Sequence, residues 1–249
     1  MFDELNFYKE NGYLLLKNFF DKTKINEIKE EALYVLEKQF TKHGIVNGSI
    51  EDRMIELFNN DFEAFTNCGK HIQQGSIKLH KLGIDEKLIN KLKEIGISYP
   101  SIATRPVLFF NSPQLAKEEF YYKTPQHQDW NSIRGSLDCA IVWIPLVDVT
   151  APFGPLRIVP KSHVYGSLMV DKVGGFGCVN KYKNEDFIDV EMSIGDLLIF
   201  SSFLVHESGK IDGKRIRWSC SFRYNNIDDN DFIDRKYEFS YIYKPKLGG

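Results

Sequence analysis

The chain has 249 residues, a formal net charge of −2 and an isoelectric point near 6.3. This balance excludes the strongly basic surface with which nucleic-acid-binding domains attract polyanions, so no nucleic-acid partner is expected. No segment approaches the ~20 consecutive apolar residues of a membrane span, and the N-terminus lacks an apolar signal segment. The four cysteines, at positions 68, 139, 178 and 220, form no Cys-x-x-Cys pair. We therefore expect a soluble protein of the reducing cytoplasm, without a membrane partner.

Residues 1–100 are predicted to be mostly helical. A short first helix ends at Gly12, and an apolar strand over residues 13–16 follows it. Asp21 or Thr23 can cap a longer second helix, whose apolar residues recur at helical spacing. Shorter helical segments complete this part of the chain, and we expect them to pack on the part that follows.

Beyond residue 100 the pattern changes to β-structure, with branched and aromatic residues between Gly, Pro, Asn and Asp turn signals. The predicted strands cover residues 102–110, 139–147, 156–159, 187–191, 197–205 and 217–224. Residues 166–186 show no periodic pattern and are predicted to form a loop over the mouth of an active site.

Many short strands preceded by helices are typical of a mainly β fold with α-helices. The expected core is a double-stranded β-helix, a cupin-like jelly roll, buttressed by the N-terminal helices. A chain of this length is expected to form a single domain over residues 1–249, with the jelly roll in residues 101–249.

One triplet on the predicted β-structure carries metal-binding chemistry. His127 and Asp129 stand two residues apart, and residues at that spacing project from the same face of a strand. The two side chains can therefore bind one cation. Because a His-x-Asp triplet also arises by chance in a chain of this size, a third ligand is needed.

The third ligand is predicted at His206. Asp212-Gly213 is typical of a two-residue hairpin turn, and counting outward from it sets Ser208 opposite Arg217 and His206 opposite Ser219. Opposed residues share a face of the sheet. A small dicarboxylate could then bind a metal at His206 with one end and the Arg217 guanidinium with the other.

Two imidazoles and one carboxylate leave coordination positions open, as in non-haem Fe(II) oxygenases. Zinc is the competing metal, and the same ligands plus a water molecule would serve a zinc-dependent hydrolase. Arg217 and Ser219 favour iron with a 2-oxo acid, because zinc hydrolysis requires neither residue. A non-catalytic jelly roll that binds a metabolite or a sugar is a further alternative, although it has no need of this combination.

These motifs resemble the phytanoyl-CoA dioxygenase family of Fe(II)/2-oxoglutarate-dependent oxygenases. The resemblance rests on His127-Gln128-Asp129 and on His206 followed eleven residues later by Arg217. It extends to the segment Gly154-Pro155-Leu156-Arg157-Ile158-Val159-Pro160-Lys161-Ser162-His163, to Gly195-Asp196, and to the helix and strand over residues 7–19. The weakest coverage is over residues 40–101.

The resemblance implies an activity and a set of roles. Fe(II) would be held by His127, Asp129 and His206, and the far carboxylate of 2-oxoglutarate by Arg217 and Ser219. The family pattern also implies three residues that line the cosubstrate pocket, namely Gln128, Trp143 and Ser208, although Trp143 is equally compatible with a plain core position. His163 is expected to be structural. The implied reaction consumes O₂ and 2-oxoglutarate, hydroxylates a substrate, and releases succinate and CO₂.

The family acts on several classes of small molecule, so the resemblance does not choose among them. The substrate is expected to be a small polar metabolite. Trp130 and Asn131 directly follow the predicted metal carboxylate and are candidate substrate contacts. Four arginines near the site-bearing strands could meet an anionic group, but each is expected to form a surface salt bridge instead: Arg105, Arg134, Arg157 and Arg223.

Overall fold

The computed structural model describes residues 3–173 and 176–242. In these ranges the α-helices are α1 (Glu4–Asn11), α2 (Lys22–Lys42), α3 (Ile50–Asn60), α4 (Phe62–Gly75), α5 (Ile77–Gly83), α6 (Glu86–Glu94), α7 (Trp130–Ile133) and α8 (Asn230–Asp234). The strands are β1 (Tyr13–Leu16), β2 (Pro100–Asn111), β3 (Ala140–Pro145), β4 (Leu156–Ile158), β5 (Asp171–Val173), β6 (Phe176–Cys178), β7 (Ile188–Val190), β8 (Leu197–Ser201), β9 (His206–Ser208) and β10 (Arg217–Asn226). None of the helices in these ranges is both long and apolar enough to cross a membrane.

Eight of these strands form two facing antiparallel sheets, and β5 and β6 pair separately with each other. The major sheet has the order β1-β8-β3-β10-β2, and the minor sheet has the order β7-β4-β9. One apolar cluster contains residues of both sheets, including Trp143 and Phe200 from the major sheet and Leu156 and Val190 from the minor sheet. The sheets therefore pack face to face, and the predicted double-stranded β-helix is confirmed.

The helices cover the other face of the major sheet, so that this sheet is buried on both sides. Alternate residues of β10 show the division. Trp218, Cys220, Phe222 and Tyr224 belong to the cluster formed with the helices, whereas the residues between them face the minor sheet. Because the helices and the β-sheet share one core, we propose that the chain folds as a single unit.

The helix starts follow from short polar side chains. Asp21 caps α2 by accepting the Thr23 amide at 2.7 Å, which selects Asp21 from the two predicted caps. Gly12 ends α1 with a φ of 79°, as expected for a C-terminal glycine in the left-handed region. The ring of His163 lies where a Gly12 side chain would be, so the predicted structural role of His163 is consistent with its packing.

The predicted hairpin at Asp212-Gly213 is wrong. β9 pairs with β4 in the minor sheet, whereas β10 pairs with β2 and β3 in the major sheet. The pairing of His206 with Ser219 therefore does not occur, and Ser219 lies beside Phe109 and Pro145 instead.

The intervening residues, 209–216, cross from one sheet to the other. Gly213 does adopt the positive φ that the turn motif predicted, at 62°, but the chain before it is bound elsewhere. The Asp212 amide donates to the Pro152 carbonyl, and the backbones of Gly154 and Gly209 touch so closely that a side chain at either position would overlap the other. Partners from the minor sheet thus outcompete the local hairpin.

The contact at Gly12 predicts a difference between two alanine substitutions. Gly12 and Gly44 both have positive φ, but a Cβ atom at Gly44 would meet no atom within 4 Å. Gly44→Ala should cost about 1–2 kcal/mol of unfolding free energy through backbone strain alone. Gly12→Ala should cost about 1–3 kcal/mol more, because the new methyl group overlaps the His163 ring. Urea unfolding of both variants measures the difference, and equal costs would contradict this account.

Candidate metal centre

The two predicted histidine ligands are opposed across a backbone bridge. The His127 amide donates to the His206 carbonyl at 2.9 Å, and the His206 amide donates to the His127 carbonyl at 3.0 Å. Opposed residues point to the same side, and the two ring centroids lie 4.1 Å apart. The carboxylate of Asp129 completes the group, with Oδ1 at 3.4 Å from Nε2 of His127 and 4.0 Å from Nε2 of His206.

Each imidazole is oriented by a main-chain carbonyl. Nδ1 of His127 lies 2.8 Å from the Pro125 oxygen, and Nδ1 of His206 lies 3.0 Å from the Leu204 oxygen. We assign the proton to Nδ1 in both rings, because only a protonated nitrogen can donate to a carbonyl. This tautomer directs the Nε2 lone pairs toward Asp129, which is the arrangement found in histidine metal ligands.

The protonation states also fit a metal centre. Burial by itself raises the pKa of Asp129, but its charged surroundings, the Arg223 guanidinium first among them, hold that pKa well below its ordinary value. Burial and the neighbouring His127 lower the pKa of His206 to about 3. At neutral pH the group therefore offers an ionised carboxylate and a neutral His206 imidazole. Among the described residues, these three form a cluster whose donor atoms all lie within 4.8 Å of one another, and such a set can hold one divalent ion.

A cavity extends from this cluster to Arg217. The guanidinium of Arg217 is buried, donating through Nη1 to the Gly154 carbonyl and through Nη2 to Ser208 Oγ at 3.1 Å. Burial lowers the pKa of Arg217 to about 10, so this side chain remains charged at neutral pH. Arg217 Nε and Ser219 Oγ are buried and have no hydrogen-bond partner among the described residues.

Such donors facing a cavity match an anionic ligand with several acceptor oxygens. Arg217 and Ser208 are brought together from facing sheets, not from one hairpin. Apolar side chains form much of the remaining wall: Phe109, Ile141, Trp143, Leu156 and Phe200. The donor set therefore fits a small dicarboxylate such as 2-oxoglutarate.

Two of the three further pocket residues lie where they were expected. Trp143 and Ser208 line the cavity. Gln128 does not, because the alternation that turns His127 and Asp129 inward turns Gln128 outward. Its amide donates to the carbonyls of Gly166 and Phe203 at 2.8 and 2.6 Å, and it accepts the Leu168 amide at 2.8 Å. The predicted pocket role of Gln128 is therefore wrong.

The candidate substrate contacts lie outside the cavity. Trp130 and Asn131 begin α7, and the Trp130 ring packs on Phe203 with centroids 4.5 Å apart. Arg105 and Arg134 are exposed. The expected loop over residues 166–186 contains a short pairing of β5 with β6, and none of its described residues lines the cavity.

Arg157 and Arg223 differ although both were expected at the surface. Arg157 forms ion pairs with Asp189 and Glu207, as predicted. Arg223 instead lines the cavity, and its Nε donates to Asp129 Oδ2 at 3.1 Å. The sequence did hold a signal for it, since Arg223 is six residues from Arg217 and therefore shares its face of β10.

Two facing sheets that enclose two imidazoles, a carboxylate and a buried guanidinium define a jelly-roll protein with a mononuclear metal centre. Residues 8–219 match the family described as phytanoyl-CoA dioxygenase. A phytanoyl-CoA dioxygenase of Arabidopsis thaliana is 25% identical over 232 residues, which span 83% of this chain and 82% of that protein. A methylphosphonate hydroxylase of Gimesia maris is 31% identical over 135 residues, 49% of each chain.

Solved structures agree on the fold. The epimerase SnoN in complex with Fe³⁺, alpha ketoglutarate and nogalamycin RO superposes with a TM-score of 0.63 at 17% identity, over 99% of this chain and 90% of that one. The chain belongs to the phytanoyl-CoA dioxygenase family. It is an oxygenase dependent on iron and 2-oxoglutarate, and the prediction of that enzyme class is confirmed.

The cluster predicts that a divalent ion stabilises the protein. At a free Co²⁺ concentration about 100 times the dissociation constant, the melting temperature should rise by about 5–10 °C, from about 2.7 kcal/mol of linkage. His206→Ala should abolish this rise, whereas His71→Ala should retain it, because His71 is exposed on α4 and lies among residues of the helical region. Differential scanning calorimetry measures both, and an unchanged rise in His206→Ala would remove His206 from the metal centre.

Proposed function

We propose that this protein hydroxylates a small polar metabolite, with 2-oxoglutarate as cosubstrate and with release of succinate and CO₂. One observation carries the proposal. A single cavity has the cluster of His127, Asp129 and His206 at one end and the buried Arg217 guanidinium at the other. A cosubstrate that must reach both a metal and a cation fits this arrangement.

The three clustered residues would hold Fe(II). When bound, iron with its cosubstrate supplies the oxygen activation that C–H hydroxylation requires. The chain supplies the positioning of that chemistry. The backbone bridge fixes the distance between the imidazoles, and the Pro125 and Leu204 carbonyls fix the rotation of the rings.

Arg217 and Ser219 would bind the far carboxylate of 2-oxoglutarate. The Arg217 guanidinium is held by Gly154 and Ser208, so little side-chain freedom remains to be lost on binding. Its Nε and the Ser219 hydroxyl, for which the described part of the chain supplies no partner, would donate to that carboxylate. Trp143 and the other apolar side chains of the wall would exclude water from the reacting end.

The polar character of the substrate is supported by the other residues that line the cavity. Asn111, Thr124 and Ser221 add hydrogen-bonding groups to the wall. A relative named for methylphosphonate, a small polar molecule, matches about half of this chain. We therefore favour a polar substrate of a few carbon atoms. Trp130 and Asn131 are not part of the described cavity wall and carry no weight in this proposal.

The function is tested by a screen of small polar metabolites, scored as succinate release with Fe(II), ascorbate and air. The correct substrate should stimulate succinate release in the wild type. His127→Ala and Asp129→Ala should abolish that stimulation, because each removes a metal ligand, and His71→Ala should retain it, because His71 lies in the helical region. A zinc-dependent hydrolase would instead convert its substrate with Zn²⁺ in the absence of air. Under those conditions the oxygenase should release no succinate. Full activity of Asp129→Ala would remove the cluster from the mechanism.

The cosubstrate site is tested at Arg217. Arg217→Lys keeps the charge but loses the forked donors, and a charge-assisted hydrogen bond contributes about 1.5–3 kcal/mol. We expect the KM for 2-oxoglutarate to rise about 10- to 100-fold, with a smaller change in kcat. Arg53→Lys is the matched control, because Arg53 pairs with Glu37 in the helical region. Steady-state kinetics decide the case, and an unchanged KM in Arg217→Lys would contradict the assignment.

A further inference from the structure

Arg223 is the last of the four polar residues of β10 that line the cavity. Arg217, Ser219, Ser221 and Arg223 all line the cavity, with Arg217 near one end and Arg223 beside the metal cluster. The Arg223 and Asp129 side chains are 15% and 8% exposed, so their ion pair is largely shielded from water. A shielded pair of this kind holds its geometry more firmly than a surface salt bridge does.

The two oxygens of the Asp129 carboxylate face different partners. Oδ1 lies toward the Nε2 atoms of His127 and His206, at 3.4 and 4.0 Å. Oδ2 accepts from Arg223 Nε at 3.1 Å. If the carboxylate rotated so that both oxygens faced the Nε2 atoms, Oδ2 would lose its contact with Arg223.

Asp129 stands at the N-cap position of α7 with helical backbone angles (φ −65°, ψ −26°), a conformation that does not favour capping and leaves its carboxylate available to Arg223 and the imidazoles. Its side chain accepts no hydrogen bond from that helix. At the five other described α-helices that begin after an aspartate, the aspartate side chain accepts a backbone amide: Asp3, Asp21, Asp61, Asp85 and Asp229. The Asp129 carboxylate instead contacts Arg223 and the imidazoles.

We propose that Arg223 is a positioning residue that holds Asp129 so that only Oδ1 is available to the metal. The inference rests on the proposed metal centre. A carboxylate can bind a metal through one oxygen or through two, and the second mode occupies an additional coordination position. By engaging Oδ2, Arg223 preserves that position for cosubstrate or O₂.

The backbone of Arg223 is paired on both sides, although its register with β2 shifts immediately before and after it. It lies in a central strand of the major sheet, with Ile141 on one side and Thr104 on the other. The backbone of Asp129 is also fixed, since its carbonyl accepts from the amides of Ser132 and Ile133 at 3.0 and 3.2 Å. A side-chain contact between two fixed backbones sets the carboxylate orientation closely.

The direction in which the affinity for a divalent cation changes distinguishes a positioning role of Arg223 from a purely electrostatic one. Removing a positive charge beside a divalent cation strengthens cation binding if charge alone matters. Removing a group that orients a ligand weakens binding, typically 10- to 100-fold. Arg223→Gln removes both the charge and the fixed donor, so the direction of the change reports which effect dominates.

The experiment measures Co²⁺ binding by isothermal titration calorimetry in the full chain, without cosubstrate or substrate. We expect Arg223→Gln to bind Co²⁺ about 10- to 100-fold more weakly than the wild type. Arg223→Lys keeps one possible donor, so its Co²⁺ affinity should lie between those of the wild type and Arg223→Gln. Arg53→Gln is the matched control, because it removes a similarly shielded guanidinium from a carboxylate in the helical region, and its affinity should be unchanged.

A second measurement does not depend on whether the variants fold. A crystal structure of the Co²⁺-loaded wild type should show Asp129 bound through Oδ1 alone, with Arg223 still on Oδ2. Chelation by both oxygens, or equal or tighter Co²⁺ binding by Arg223→Gln, would overturn the inference. If the wild type bound no Co²⁺, or if His206→Ala bound it equally well, the proposed metal centre itself would fail.

Discussion

The site depends on a pair of backbone hydrogen bonds between His127 and His206. These residues are 79 positions apart in the chain, and neither belongs to a long ladder at this point. The bridge makes them direct neighbours with both rings on the cavity side. Because backbone pairing fixes the imidazoles before any ion arrives, a metal would meet ligands that are largely in place. Asp129 lies two residues after His127, so its side chain points to the same side and joins the two imidazoles.

The major sheet provides the low-dielectric setting in which this cluster works. Helices cover one face and the minor sheet covers the other, so the polar row on β10 is buried in an otherwise apolar layer. Burying two guanidinium groups is costly unless acceptors meet them. Arg223 contacts the Asp129 carboxylate, whereas the acceptors of Arg217 within the described residues are a carbonyl and a hydroxyl. The uncompensated charge at Arg217 is what an anionic cosubstrate would neutralise.

Local chemistry predicted much of the fold and the central cluster. Helix caps such as Asp21, and the same-face spacing of His127 and Asp129, depend on neighbours in sequence and are readable from it. The pairing of β9 and β10 is not, because the Asp212-Gly213 turn signal competes with distant partners at Pro152 and Gly154. Arg223 was misassigned for a related reason. Its spacing from Arg217 indicates a shared face of β10, but its partner, Asp129, lies 94 residues earlier and is not indicated by the sequence around Arg223.

The contact between Gly154 and Gly209 ties the architecture to ligand selectivity. The Gly154 carbonyl that anchors the Arg217 guanidinium lies at the point where the crossing chain presses against the minor sheet. A side chain at Gly154 or Gly209 would displace the Gly154 carbonyl. The Arg217 guanidinium would then lose a hydrogen-bond partner that fixes its orientation. In contrast, the turn at Gly213 lies outside this contact. A Cβ atom at Gly213 would have Nη1 of Arg215 as its near neighbour, at 3.7 Å. A protein engineer could therefore lengthen or graft sequence at that turn while leaving the recognition of the dicarboxylate tail intact.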